Sequence, residues 1–67
     1  MDHLAQAERH VVQGEQHVTR QRDLVARLQM DGHDTDEALK LLSQFEELLA
    51  VHIADRDRLK AELAELG

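Results

Sequence analysis

Asp31-Gly32-His33-Asp34-Thr35-Asp36-Glu37 is the stretch of this 67-residue chain in which the helical hydrophobic pattern lapses. Gly32 suits the left-handed backbone that ends a helix. Asp34 followed by Glu37 has the spacing of a capping box, with Thr35 as an alternative N-cap. Asp36 and Glu37 then stand where the positive end of a helix dipole favours acids. This reading predicts a single α-hairpin: helix 1 over about 2–31, a turn over about 32–34 and helix 2 over about 35–66. So short a link makes the helices antiparallel neighbours. One continuous helix is the competing reading, because a glycine inside a helix costs only about 1 kcal/mol.

Outward from the turn, both halves carry heptads. Leu4, Val11, Val18 and Val25 form one row of the first half, and Ala7, Gly14, Gln21 and Leu28 the other. In the second half the rows are Leu42, Leu49, Arg56 and Leu63, and Ala38, Phe45, His52, Leu59 and Leu66. These are the a and d positions of a helical seam, and nothing alternates with the period of two that a strand needs. Folding at the turn is expected to bring Arg20 close to Glu46 and Glu47, Glu8 towards Arg58 and Arg9 towards Asp57. Such pairs are worth about 0–1 kcal/mol each and bear on register rather than stability.

Composition excludes whole classes of function. The chain is too short for a doubly wound nucleotide fold. It has no cysteine, so disulfide scaffolds and thiolate zinc sites are ruled out. The count of 8 Lys+Arg against 14 Asp+Glu gives a formal charge of -6. That charge opposes binding to phosphate backbones and anionic membranes. It is unevenly placed: residues 2–30 balance four acids against four bases, whereas residues 36–66 carry eight acids against four. No signal peptide is legible at the start and no apolar run could span a bilayer, so a cytoplasmic location is expected.

The apolar surface exceeds what a hairpin can hide. Leu39, Leu41, Leu42, Phe45, Leu48, Leu49 and Ile53 span a wider arc than a two-stranded seam requires. The expected fold class is therefore all-α, an antiparallel two-helix hairpin that self-associates into a four-helix bundle. The expected oligomer interface is Val18, Val25, Leu28, Leu41, Leu42, Phe45, Leu48, Leu49 and Ile53, with a homodimer the simplest assembly. Gln21, His52 and Arg56 are polar residues on apolar seams, a pattern that can fix register and oligomeric state at a cost in stability. Gly14 is expected to serve close packing, or to make room for His52 or Arg56.

In architecture the whole chain resembles the Rop family of plasmid-copy-number regulators, helical hairpins of about this length that dimerise into four-helix bundles. That resemblance implies the fold. Rop-type proteins bind paired RNA loops through basic and polar residues on one face. Here Arg20 and Arg27 lie seven apart with Arg9 further up, on an acidic background and without a Rop-like recognition motif, so no nucleic-acid partner is expected. Asp31-Gly32-His33-Asp34-Thr35 together with Phe45-Glu46-Glu47 also resembles short bacterial α-hairpin proteins, which implies no function.

His3, His10 and His17 are spaced by seven and form a stripe beside the seam, while His52 lies on the seam of helix 2. In a hairpin His52 is expected near Gly14, Val18 and His17. His10, His17 and His52 are therefore the candidate metal ligands, although no i, i+4 histidine pair or Glu-x-x-His motif is present in helix 1. The competing expectation is a half-exposed interface stripe and one hydrogen-bonded polar core residue, with no metal and no cofactor. The acids of the turn lack the spacing of a calcium loop. Ser43 and Thr19 have no histidine base at helical spacing, so no catalytic residue and no enzyme activity are expected. Protonating all five histidines would bring the charge to about -1, so association is expected to respond to pH where imidazoles ordinarily titrate. The expected function is a small homo-oligomeric structural or protein–protein interaction module. A histidine-based metal- or pH-responsive regulator is the second reading, and a Rop-like RNA binder the third.

Overall fold

The computed structural model describes residues 2–66, which form two helices, α1 (His3–Met30) and α2 (Asp36–Leu66), folded back on each other. The hairpin is a rod with Cα extents of 54 × 15 × 14 Å. The Asp2 side chain accepts a hydrogen bond from the Ala5 N–H at 3.1 Å and so caps α1. That cap was not anticipated from the sequence. At the other end the chain forms a Schellman stop: the His33 N–H donates to the Leu28 carbonyl at 2.9 Å and the Gly32 N–H to the Gln29 carbonyl at 3.2 Å. Gly32 sits at φ +74, where a side chain would be strained.

The capping box expected at α2 is replaced by a simpler cap. The Asp34 carboxylate accepts from the Asp36 N–H at 2.9 Å. The Thr35 carbonyl accepts the first helical bond, from the Leu39 N–H at 2.8 Å. Thr35 thus holds the N-cap position while Asp34 supplies the side-chain acceptor. Both helices come out slightly shorter than the expected 2–31 and 35–66, because the capping residues lie outside them.

The seam is asymmetric in a way that matters for everything below. α1 offers small residues: Val11, Val18 and Val25 are only 3%, 4% and 7% exposed, with Ala7, Gly14 and Gln21 also buried. α2 offers the large ones. Ala38, Leu42, Phe45, Leu49, His52, Ile53, Arg56 and Leu59 face α1, yet all are half-buried, and no residue of α2 is fully buried. A large side chain laid across a small one covers it, but one neighbouring helix cannot cover the large one in return. Gly14 is the closest point of approach. A Cβ there would lie 3.1 Å from Leu49 Cδ1 and 3.7 Å from Leu49 Cα. The glycine therefore makes room for Leu49 rather than for His52 or Arg56.

The register differs from the expected one by about one helical turn. Gly14 faces Leu49, His10 meets His52, and His17 meets Phe45. The early stop at Met30 and the tight reversal at Gly32 and His33 move the fold point towards the N-terminus. The long side chain of Arg22, not that of Arg20, reaches Glu46, at 3.8 Å. Among the described residues the pairs Glu8–Arg58 and Arg9–Asp57 are not formed. Instead Arg56 binds its neighbour Asp57 at 3.0 Å, and Arg58 binds Asp55 on the same helix at 3.5 Å. The seam also ends early: Leu63 and Leu66 are 50% and 85% exposed.

Candidate assembly surface and histidine stripe

The structure divides the expected interface into three groups. Val18 and Val25 are buried inside the single hairpin, so a second copy cannot touch them without opening it. Leu28, Leu42, Phe45, Leu49 and Ile53 are half-buried along the seam. Leu41 and Leu48 are free, at 40% and 51% exposed. Leu24, 43% exposed, joins them. Residues seven apart share a helix face. His3, His10, His17 and Leu24 form one such row on α1, and Leu41, Leu48 and Asp55 form one on α2. The rows adjoin, because His3, His10 and Asp55 line the same open cleft of about 270 Å³ with Arg58 and Leu59.

One flank of the hairpin therefore carries the leucine and histidine rows, with the Asp55–Arg58 pair at one end. The other flank bears Glu8, Glu15 and Arg22, a row marked by the Arg22–Glu46 pair. Exposed Val12 and Val51 were not singled out from sequence. Val51 was legible as the end of the Leu48–Val51 run, whereas the Val12 position needed the seam azimuth, which the buried Val11 beside it supplies.

The polar seam residues have separate fates. Gln21 is 7% exposed, and its Nε2 donates to the Ala38 carbonyl at 2.9 Å. This bond crosses from α1 to the first turn of α2, next to the reversal, and ties the axial offset of the helices to the turn. No buried side-chain nitrogen or oxygen among the described residues lacks a partner. Arg56 makes no cross-helix bond. Its Nε and Nη2 both bind the exposed Asp57, and its stem lies along the seam. Arg56→Leu is expected to raise stability by about 1 kcal/mol, since a half-buried leucine replaces an aliphatic stem with no partner across the seam. It is also expected to broaden the oligomer distribution. Thermal melts together with sedimentation check both, and a single unchanged oligomer would count against a specificity role.

The histidines do not converge as expected. His52 meets His10, with ring centroids 5.1 Å apart and planes at 47°. His17, one heptad on, stacks instead on Phe45 at 5.5 Å and 21°. No cluster of three or more potential metal ligands occurs among the described residues. Two shallow grooves, of about 330 and 590 Å³, are each lined by α1 alone, around Val12 and Gln16. No helix of the described residues is long and apolar enough to cross a membrane.

In comparisons with known proteins, the chain matches no family model, no curated protein and no solved structure. Of the architecture expected from the Rop family, the structure shows the all-α two-helix hairpin.

Proposed function

We propose that the protein is a homo-oligomeric helical-bundle module, built from two hairpins packed flank to flank, whose role is structural or protein–protein interaction. The observation that carries this reading is the surface left over by one copy. A single chain exposes 5233 Å². A compact protein of the same 7.7 kDa mass would expose only about 4,300 Å². The excess of about 900 Å² is close to the roughly 800 Å² that each partner gives to a standard interface. The half-buried leucines of α2 and the exposed Leu24, Leu41 and Leu48 supply its apolar part.

The occupant we favour is a second copy of this chain. The flank is nearly neutral, so it offers no charge pattern for an oppositely charged partner, and a two-fold pairing buries the same residues on both copies. Burial of apolar surface at about 25 cal/mol per Å² outweighs the exposed ion pairs of the chain. The histidine row favours a second, compatible reading, pH-responsive assembly.

Sedimentation equilibrium at micromolar concentration tests the proposal. The expected result is a dimer mass, a melting temperature that rises with protein concentration and, on the second reading, a mass that changes with pH. A monomer that melts cooperatively at a concentration-independent temperature and binds no hydrophobic dye would overturn it.

A further inference from the structure

Lone histidine pairs are common, but the His10–His52 pair has a specific geometry and place. It joins the two helices near the open end of the hairpin, far from the turn that ties the other end. We infer that it is a bidentate, cross-helix site for a late first-row divalent cation such as zinc or copper. A metal held at about 2.0–2.1 Å by one nitrogen of each ring lies about 3.2 Å from each ring centroid, and a tetrahedral angle then sets the centroids about 5.2 Å apart. The observed separation is 5.1 Å. Binding therefore needs ring rotation rather than helix movement.

Imidazole pairs suit zinc, nickel and copper and discriminate against magnesium and calcium, which take oxygen ligands. With no third protein ligand grouped there among the described residues, water completes the coordination sphere and the site is open to exchange. His52 is half-buried on the seam and His10 is exposed, so a cation can reach the pair from solvent. The charged groups around it come from both helices. His3 lies one heptad away on α1. On α2, Asp55 and Arg58 border the adjoining cleft and largely cancel each other through their 3.5 Å pair. Arg56, half-buried nearby, is held by Asp57 at 3.0 Å. The metal works as a staple. It closes the loop that runs from His10 through the turn to His52, and it makes hairpin stability depend on metal supply. Both ligands belong to one chain, so a single hairpin can form the site, even though His10 also lies on the flank proposed for the dimer contact.

Metal-free full-length protein is melted with and without micromolar zinc chloride at about pH 7.5. The expected result is a rise in melting temperature that EDTA reverses, that His10→Ala and His52→Ala each abolish, and that His17→Ala leaves in place. Apparent affinity should fall about tenfold or more by about pH 5.5, because both imidazoles must shed protons to bind. Copper(II) bound to the wild type should show two equatorial nitrogens by electron paramagnetic resonance, and one in His10→Ala. This second readout does not depend on stability. The zinc effect should persist in Leu41→Glu/Leu48→Glu protein, in which the proposed dimer contact is removed. No zinc shift, an equal shift in His10→Ala, or a shift seen only in the oligomer would each overturn the site.

Discussion

Gly14→Leu is expected to lower the melting temperature by roughly 10–20 °C, while Gly14→Ala raises it by a few degrees. The two substitutions separate backbone propensity from interhelical space. An alanine Cβ would stand 3.1 Å from Leu49 Cδ1, which is tight. That methyl is the far end of a half-buried side chain, free to move a few tenths of an ångström. Against this small adjustment stands the gain of about 1 kcal/mol from replacing glycine inside a helix. A leucine has no such escape. Its Cβ would already be 3.7 Å from the α2 backbone at Leu49 Cα, so the bulk beyond Cβ must push the helices apart. Separating them uncovers Val11 and Val18, the best-buried residues of the chain. A domain of this size holds only a few kcal/mol in reserve. Thermal melts by circular dichroism on the three proteins decide the matter. A leucine variant as stable as wild type would show that Gly14 is not the point of closest approach.

Leu41→Glu/Leu48→Glu is expected to weaken self-association by at least about 100-fold, equivalent to about 3 kcal/mol. Both leucines are exposed in the single hairpin, at 40% and 51%, so their replacement leaves the seam intact. In a two-fold contact each substitution appears twice and sets carboxylates against an apolar surface, where burying an unpaired charge is costly. Helical signal should remain, but the melting temperature should become independent of concentration. Val12→Glu/Leu39→Glu, at exposed positions outside the leucine and histidine rows, is the matched control and should leave the mass unchanged. Equal loss of association in both double variants would show that apolar area in general, and not this flank, drives assembly.

Much of the fold was legible before any coordinates. The rows Leu4–Val25 and Ala7–Leu28 do line the seam, and the half-buried residues of α2, Ile53 apart, follow its two rows as far as Leu59. Gly32 does stop α1. What misled was the axial offset. The charge pairs chosen to fix it involve exposed, flexible side chains whose interactions are too weak to set a register. The ties that do hold it are the Gln21–Ala38 bond at 2.9 Å and the Schellman turn; Gly32 marks where the turn falls, but the bond has no sequence signal beyond one glutamine on an apolar seam. The offset then decided the candidate site, pairing His52 with His10 and giving Phe45 to His17.

The sequence by itself determined that this chain makes two helices, which face of each is apolar, and where the chain reverses. Those properties are local: a heptad pattern fixes the azimuth of a helix face, and a glycine between capping acids fixes a stop. Only the tertiary structure decided which residues stand opposite one another. A slide of one turn, about 5.4 Å, leaves both apolar faces in contact while changing every partner. The turn geometry and one buried amide choose among such slides, and with them which two imidazoles meet.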